Sequence, residues 1–301
     1  MTSTLPRVLV TGLNSFTGHH LEQALTAAGY AVHGTIRSDE LPDATRHVAD
    51  LLDFNSLRRV IAQVAPRHVI HLAAMSFVAH DDVEAIYRTN VTGTRNLLHA
   101  LAESGDVAKG MGTVLLASSA NVYGNAPVDP ITEDQPVRPP NDYAVSKSAM
   151  EQMAALWIDR LPITIVRPFN YTGVGQSDWF LIPKIVKAFA RRVPLLELGN
   201  LDVLRDFSDV RDVVQAYVSL LELSPQTTLN VCSGQVHALR EIIELTQRLS
   251  GHSLEVRVNP LFVRPNDVRV LRGSAARLHK LVPNWHSRPL RETLAWMLDN
   301  A

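Results

Sequence analysis

The chain has 301 residues, of which 46% are hydrophobic and 20% are charged, the balance of an ordinary folded globular protein. Its 29 basic and 30 acidic side chains leave a formal net charge of −1. Nucleic-acid and membrane-surface binders usually carry a basic excess, so neither partner is expected. The single cysteine, Cys232, excludes an internal disulfide and a zinc cluster. Because the sequence shows no secretory leader and no membrane-spanning apolar stretch, we expect a cytoplasmic protein. We also expect no metal site.

Short apolar runs alternate with helical patterns along the first half, which is typical of a parallel sheet covered by helices. The predicted strands are residues 7–11, 31–36, 68–71, 113–117 and 163–167. The predicted helices between them are residues 18–28, 55–65, 85–103 and 143–159. Right-handed crossovers turn this order into a doubly wound α/β sheet, in which ligands bind at the carboxyl ends of the strands.

The pattern changes after Pro168 to loops, short strands and predicted helices at residues 181–190, 240–250 and 289–298. A helix at residues 209–223 and a strand at residues 229–232 are expected to return to the main sheet. We therefore expect two units. Residues 1–168 form the sheet-bearing domain, with residues 207–232 returning to it, and residues 169–206 and 233–301 form a smaller, discontinuous C-terminal domain.

A glycine-containing loop, GLNSFTG at residues 12–18, joins the first strand to the first helix. Gly12 suits a tight turn, and Gly18 allows the helix to pack closely against the strand. The helix N-terminus offers backbone N–H groups and a positive dipole end to a pyrophosphate. The placement predicts a dinucleotide site. The alternative, a plain turn capped by Ser15 or Thr17, accounts for the serine alone.

Tyr143 and Lys147 stand four residues apart in the predicted helix 143–159 and therefore share one helical face. A cation about 4 Å from the phenol contributes roughly 4 kcal/mol at an effective dielectric of 20. That is about the free energy needed to move a tyrosine from its reference pKa of about 10 to about 7. We therefore expect Lys147 to lower the pKa of Tyr143.

The sequence resembles the extended short-chain dehydrogenase/reductase family in three motifs. Its glycine loop is similar to G-x-x-G-x-x-G, with Ser15 at the middle position. The segment YAVSK at residues 143–147 matches Y-x-x-x-K, and SSANVYG at residues 118–124 is similar to S-S-x-x-V-Y-G. The resemblance implies a Rossmann-type NAD(P)-binding domain and a catalytic group of Ser119, Tyr143 and Lys147, in which Ser119 hydrogen bonds the reacting carbonyl.

The cofactor site follows from the same resemblance. Arg37 and Ser38, at the end of the second strand, favour the 2′-phosphate of NADP, while the neighbouring Asp39 leaves NAD open. The other cofactor-binding residues that the resemblance implies are Gly12, Asn14, Ser15, Phe16, Gly18, Asp50, Leu51, Leu72, Ala73, Ala74, Asn90, Tyr143, Lys147, Pro168 and Phe169.

The second half is most similar to the GDP-mannose branch of this family, which implies a GDP-linked deoxy-sugar as substrate. The segment RPFN at residues 167–170 resembles a motif of the whole family, and the motifs that carry the similarity to this branch are GNLDVLRD at 199–206, NVCSG at 230–234 and RGS at 272–274. Arg205 and Arg264 would suit the charge and the fork geometry of a diphosphate. The implied substrate-binding residues are Ser76, Ser119, Asn121, Asn170, Lys184, Asn200, Arg205, Arg264 and Asp267.

The reaction that the resemblance implies is hydride transfer to the 4-keto group of GDP-4-keto-6-deoxy-D-mannose, which gives GDP-D-rhamnose. Dehydratases of the family carry an acidic residue two places after the serine. Ala120 and Asn121 follow Ser119 here, and neither can act as a general base. A nucleotide-sugar 4-epimerase and a reductase forming GDP-6-deoxy-talose fit the same residues. A non-enzymatic NADP sensor is the further alternative, although such proteins usually lose the tyrosine or the lysine.

The predicted helices 85–103 and 143–159 are amphipathic and match the two helices that pair across a two-fold axis in this family. The resemblance therefore implies a homodimer held by an intermolecular four-helix bundle.

The cofactor preference can be tested at Arg37. Truncation of an arginine that contacts the 2′-phosphate should weaken NADPH binding selectively, because NADH has no phosphate at that position. We therefore expect Arg37→Ala to raise the KM for NADPH more than the KM for NADH. Equal changes for the two cofactors in steady-state kinetics would exclude Arg37 as the phosphate-binding residue.

Overall fold

The computed structural model describes residues 5–37, 41–75, 82–262 and 270–301 and confirms the doubly wound α/β fold. Seven strands form the main sheet: β1 (Arg7–Thr11), β2 (Ala31–Ile36), β3 (Arg46–Val48), β4 (His68–His71), β5 (Thr113–Ala117), β6 (Ile163–Pro168) and β10 (Thr228–Val231). Their spatial order is β10-β6-β5-β4-β1-β2-β3, and every neighbouring pair is parallel. The chain order reverses between β1 and β4, which is where ligands bind in sheets of this kind.

Helices cover both faces of this sheet. They are α1 (Phe16–Ala27), α2 (Phe54–Val64), α3 (Val83–Tyr87), α4 (Thr94–Ala102), α5 (Asp106–Lys109), α6 (Asp142–Ala154) and α8 (Val210–Leu223). Val8 and Val10 of β1 pack into a core with α1 and α8, while Leu9 packs on the other face with α2, α4 and α6. Successive strand residues point to opposite faces, so a strand buried on both sides is apolar throughout.

The predicted helix 85–103 is interrupted in the structure. A π-helix, Arg88–Gly93, lies between α3 and α4. A Cβ on Gly93 would come within 2.9 Å of the Leu51 Cβ, so the glycine allows the loop after β3 to lie close against this segment. The hydroxyl of Thr94 donates a hydrogen bond to the carbonyl oxygen of Asn90 at 2.7 Å. Single π-turns of this kind often occur at functional sites.

The predicted helix 143–159 is also shorter in the structure. It ends as α6 at Ala154 and tightens into a 3₁₀ turn, Ala155–Trp157. The side chain of Asn141 caps its N-terminus by accepting a hydrogen bond from the Ala144 amide at 2.9 Å. This cap fixes where the helix begins, immediately before Tyr143.

The remaining elements lie outside the main sheet, and several of them surround a third hydrophobic core. They are β7 (Asn170–Thr172), α7 (Leu181–Ala190), β8 (Leu195–Leu198), β9 (Leu204–Asp209), β11 (Val236–Ala238), α9 (Leu239–Ser250), β12 (Glu255–Val258), β13 (Val270–Leu271), α10 (Ala276–Leu281) and α11 (Leu290–Asp299). Strand β9 pairs with β7, β11 and β13, and β8 pairs with β12. Side chains of α7, β8, α9 and α11 fill this core. Within the described ranges, the helices are too short or too polar to cross a membrane.

Candidate active site

The loop between β1 and α1 shows why two of its positions require glycine. Gly12 has a φ of +75°, and a Cβ there would lie 3.0 Å from both the N and the Cα of Ala73. At Gly18 a Cβ would lie 2.1 Å from the carbonyl oxygen of Leu13. The close approach at Gly12 and the N-terminus of α1 form a cradle that fits a pyrophosphate. Phe16 begins α1, and Asn14 lies exposed in the loop.

Ser15, at the middle position of the motif, caps the helix. Its backbone has φ −79° and ψ 165°, which any residue adopts, and its hydroxyl accepts a hydrogen bond from the Gly18 amide at 3.1 Å. The capped-turn alternative for the serine therefore describes its side chain correctly. The cap and the cradle coexist, because the serine uses only one of the amides at the helix N-terminus.

The other predicted cofactor residues follow β2, β3 and β4 at the same edge of the sheet. Arg37 is exposed at the end of β2. Asp50 is exposed and accepts a hydrogen bond from the Leu52 amide at 2.8 Å, whereas Leu51 is buried. The half-buried residues after β4 are Leu72, Ala73 and Ala74.

His71, which the sequence analysis did not single out, connects these loops. Its Nδ1 lies 2.6 Å from Thr11 Oγ1, and its Nε2 lies 2.8 Å from Thr94 Oγ1. Thr94 gives its only hydroxyl proton to Asn90 O, so it must accept from His71 Nε2–H. Thr11 Oγ1 accepts from the Ala73 amide at 3.2 Å and can give its own proton to Nδ1. Every hydrogen bond in this series is therefore donated in the same direction, from the Ala73 amide after β4 to the Asn90 carbonyl oxygen in the π-helix.

Burial lowers the pKa of His71 to about 3, and the positive charge of Lys147 acts in the same direction. His71 is therefore neutral at physiological pH, as the two threonine partners require.

The side chain of Asn90 joins the π-helix to the helix that carries the tyrosine. Its Oδ1 accepts from the Met75 amide at 2.9 Å, and its Nδ2 donates to Ser146 Oγ at 2.9 Å. Ser146 Oγ in turn donates to the carbonyl oxygen of Tyr143 at 2.8 Å. Asn90 is 1% exposed, so in this structure it supports the site from below.

Ser119, Tyr143 and Lys147 come together at the carboxyl end of β5. The Ser119 side chain lies close enough to the Tyr143 phenol to lower its pKa. Lys147 is 3% exposed, and its Nζ donates to the carbonyl oxygen of Ala117 at 2.7 Å. Ser119 also caps the 3₁₀ turn Ala120–Tyr123, because its Oγ accepts from the Asn121 amide at 3.2 Å. The three predicted catalytic side chains therefore lie close together at the carboxyl end of β5.

The expected lowering of the Tyr143 pKa was wrong for this structure. Burial raises the pKa of Tyr143 to about 12, and the nearby Ser119 side chain opposes this increase. Burial likewise lowers the pKa of Lys147 to about 8, and the charge of Glu151 opposes that change. The estimate from Lys147 alone left out the cost of burying the phenolate, which is the dominant cause here.

The RPFN segment places Pro168 and Phe169 inside the protein at the end of β6. Pro168 is buried and Phe169 is 3% exposed. The Phe169 ring packs against Tyr123, with ring centroids 6.3 Å apart, and would lie 2.6 Å from a Cβ on Gly273. Phe169 is thus a core residue, and its contact with the nicotinamide stays a prediction.

The predicted substrate residues lie around the smaller sheets. Asn170 on β7 donates to the carbonyl oxygen of Asp206 at 3.2 Å, and Arg205 lies on the neighbouring strand β9. Lys184 on α7 donates to Glu197 O at 3.0 Å, and Asn200 is exposed after β8. Asn121 is exposed next to Ser119. Four predicted residues lie outside the described part of the chain: Ser38, Ser76, Arg264 and Asp267.

Asp206 is a buried carboxylate that the sequence analysis did not identify. It is 0% exposed and accepts hydrogen bonds from the Ser233 amide at 2.9 Å, the Ser233 hydroxyl at 2.6 Å and the Gly234 amide at 2.9 Å. Burial raises its pKa, and these donors oppose the increase. Asp206 therefore anchors the loop after β10 to β9, next to Arg205. The only sequence signal for this carboxylate was its position directly after Arg205.

A glycine cradle at the reversal point of a parallel sheet, combined with a serine, a tyrosine and a lysine at the end of β5, is the arrangement of the extended short-chain dehydrogenases/reductases. The family model of GDP-mannose 4,6 dehydratase matches residues 9–295. The chain therefore belongs to the GDP-mannose 4,6 dehydratase family within that class.

Individual relatives are similar over nearly the whole chain. The GDP-6-deoxy-D-mannose reductase of Pseudomonas aeruginosa is 39% identical over 91% of this chain and 90% of its own length. The GDP-6-deoxy-D-talose 4-dehydrogenase of Aggregatibacter actinomycetemcomitans is 34% identical over 92% of both chains. The solved structure of RMD from Pseudomonas aeruginosa complexed with NADPH has a TM-score of 0.85 at 36% identity, covering 98% of this chain and 97% of that one.

The hydrogen bonds through His71 can be tested by substitution of Thr94. Thr94→Val keeps the shape of the side chain but leaves the buried His71 N–H without its acceptor, which should cost about 1–3 kcal/mol of unfolding free energy. Thr92→Val is the matched control, because Thr92 is exposed in the same π-helix and should change stability by less than about 0.5 kcal/mol. Equal urea-unfolding midpoints and slopes for the two variants would contradict the hydrogen-bond assignment.

Proposed function

We propose that this protein reduces the 4-keto group of GDP-4-keto-6-deoxy-D-mannose to give GDP-D-rhamnose. The observation that carries the proposal is the similarity to a GDP-6-deoxy-D-mannose reductase, which is 39% identical over 91% of the chain. The geometry of Ser119, Tyr143 and Lys147 supports the same chemistry.

Each of the three side chains has a role that its environment suits. Tyr143 is the proton donor, and its raised pKa keeps the phenol protonated at neutral pH. Ser119, which lies near the Tyr143 phenol, would donate a hydrogen bond to the ketone oxygen on which negative charge develops. Lys147 contributes a positive charge one helical turn below the phenol and is placed to bind the nicotinamide ribose.

The residues after Ser119 support a reductase rather than a dehydratase. Ala120 is 2% exposed and has no ionisable group, and Asn121 carries an amide. Elimination of water from the sugar requires a base that removes a proton from carbon. Reduction of the ketone requires only hydride and proton delivery, which the three residues at the end of β5 serve.

We propose NADP as the preferred cofactor, with NAD as the alternative. The neighbour from Pseudomonas aeruginosa was solved with NADPH, and a UDP-glucose 4-epimerase neighbour from Thermus thermophilus was solved with NAD. A bound reduced nicotinamide would supply the hydride. In this chain the cradle of Gly12, Gly18 and the first turn of α1 would hold the pyrophosphate, and Arg37 would contact the 2′-phosphate.

A second candidate is a reaction at the same carbon with the opposite stereochemistry. The relative named GDP-6-deoxy-D-talose 4-dehydrogenase is 34% identical and covers as much of this chain as the reductase does. Both activities use the same catalytic group. The rotation of the bound sugar decides which face of the ketone receives the hydride.

The division of labour between the two halves is part of the proposal. Residues 1–168, with 207–232, would bind the dinucleotide, and residues 169–206 and 233–301 would bind the nucleotide-linked sugar. Asn170, Lys184, Asn200 and Arg205 lie on the second part, where Asp206 holds the strand that carries Arg205.

We further propose a homodimer built on α4 and α6. The outer face of α6 carries Val145, Ala149, Gln152 and, in the following 3₁₀ turn, Leu156, at spacings of four, three and four residues. Leu156 is 78% exposed and Val145 is 36% exposed. This exposed stripe, in which Gln152 lies among apolar side chains, suits a self-complementary two-fold contact.

The reaction class is tested by supplying each sugar with NAD(P)H. The wild-type protein should oxidise NAD(P)H with GDP-4-keto-6-deoxy-D-mannose, and nuclear magnetic resonance of the product should show GDP-D-rhamnose. Talose stereochemistry at C4 would favour the second candidate. Conversion of GDP-mannose to the 4-keto-6-deoxy sugar by the protein alone would refute the reductase assignment.

The catalytic roles are tested by three substitutions. Tyr143→Phe should lower kcat by several orders of magnitude with little effect on cofactor affinity, because the phenol acts in the transition state. Ser119→Ala should lower kcat by about 10²–10³, the typical cost of one hydrogen bond to a developing oxyanion. Lys147→Ala should impair both kcat and cofactor affinity. Near-normal turnover of Tyr143→Phe would remove the tyrosine from the mechanism.

The dimer is tested at Leu156. Leu156→Glu places a charge in the proposed contact but on the surface of a folded protomer, so it should dissociate the dimer without unfolding the chain. Light scattering should give a dimer mass for the wild type and a monomer mass for the variant, with equal circular dichroism. A monomeric wild-type protein at micromolar concentration would rule the dimer out.

A further inference from the structure

Helix α6 carries a third polar side chain in line with Tyr143 and Lys147. Glu151 stands four residues after Lys147, so the three lie on one helical face. The Ser118 hydroxyl donates to Glu151 Oε1 at 2.5 Å. Three consecutive residues at the end of β5 therefore lie against these three side chains of α6. Ala117 accepts from Lys147, Ser118 donates to Glu151, and Ser119 lies near Tyr143.

The same carboxylate binds the end of β6. Arg167 donates through Nε to Glu151 Oε1 at 2.9 Å and through Nη2 to Glu151 Oε2 at 2.5 Å. The Glu151 side chain is 10% exposed, and that of Arg167 is 9% exposed. Arg167 Nη1 donates to the Tyr123 hydroxyl at 2.9 Å, and Tyr123 donates to Asn230 Oδ1 at 2.7 Å. Glu151 thus joins β5, β6 and α6 beneath the catalytic residues.

A buried ion pair is a weak source of net stability, because the two charges must be removed from water. A purely structural contact between these elements could be made by apolar side chains. The position of this pair suggests a different use. Glu151 lies one turn from Lys147, and its negative charge opposes the lowering of the Lys147 pKa by burial. Loss of that charge would favour a neutral Lys147.

Among the described residues, Glu151 is the anion whose charge acts on Lys147. The titratable groups on other elements that contact α6 or act electrostatically on it include His71 on β4, Tyr87 on α3, Tyr123 in the 3₁₀ turn, Arg167 on β6, Tyr171 on β7 and Tyr217 on α8. Tyr87 bonds Asp142 at the start of α6, and His71 is neutral. The side chains exposed to solvent on α3, the π-helix and α4 include Glu84, Arg88 and Arg95.

We propose that Glu151 is a positioning residue of the active site, which holds the end of β5 against α6 through Ser118 and Arg167 and keeps Lys147 in its ammonium form. The proposal rests on the proposed function, because it assigns Lys147 a role that requires the charge. Glu151 does not contact the substrate in this scheme. It acts through the lysine and through the backbone that carries Ser119.

The test is the pH dependence of Glu151→Gln compared with the wild type. Activity should fall at alkaline pH as Lys147 loses its proton. Without the neighbouring carboxylate this fall should occur at a pH lower by about 1 unit, the usual effect of one charge at short range. Glu151→Asp, which keeps the charge, should retain the wild-type pH profile even if its kcat is reduced.

Tyr123→Phe is the matched control, since it removes a buried hydrogen bond from the other side of Arg167 and leaves Glu151 in place. It should lower the Tm without moving the pH profile. Should Glu151→Gln fail to fold, the double variant Glu151→Gln, Arg167→Gln replaces the ion pair by two amides and should show the same shift. A wild-type profile in the folded glutamine variants would overturn the proposal and leave Glu151 a structural residue.

A second measurement separates this proposal from the proposed function. The pH dependence of NADPH affinity, followed by nicotinamide fluorescence, depends on Lys147 but not on the sugar. A wild-type protein that binds NADPH and reduces no GDP-linked sugar would overturn the proposed function alone. An alkaline limb of NADPH binding that is the same in wild type and Glu151→Gln would overturn the role of Glu151 alone.

Discussion

The parallel register of the central strands is the constraint on which the candidate site depends. Thr11 pairs with His71 across β1 and β4, and His71 pairs with Leu116 across β4 and β5. Because all the strands end at one edge, side chains that are 60 residues apart in the chain come within 2.6 Å of each other. A shift of one residue in any strand would turn these side chains to the opposite face of the sheet. The glycine cradle, the histidine chain and the catalytic helix all require the same register.

Much of the fold could be predicted because its signals are local. The four strands β1, β2, β4 and β5 have the predicted bounds, since strands buried on both faces are rich in apolar residues and polar loops flank them. The π-helix could not be predicted, because the residues before Gly93 have an ordinary helical pattern. It coincides with the close packing of Leu51 against Gly93, a contact between segments about 40 residues apart.

The residues of the candidate site could likewise be predicted where their signals are local, and not where they depend on distant contacts. Ser119, Tyr143 and Lys147 were found because each belongs to a short motif, and the structure brings them together. Asp206 and Glu151 were missed because their partners, Ser233 and Arg167, are far away in sequence or belong to another element. The error over the Tyr143 pKa has a related origin. Spacing reveals a neighbouring charge, whereas burial depends on the whole fold.

The glycine loop shows that only two positions of the familiar three need glycine for steric reasons. Gly12 has a left-handed backbone and touches Ala73, and Gly18 has no room for a Cβ beside Leu13. Ser15 has an ordinary extended backbone and uses its hydroxyl as a helix cap. Residues other than glycine can therefore adopt the backbone conformation at this middle position. A pattern search that insists on the middle glycine would discard chains like this one, whereas one that weighs the outer two would keep them.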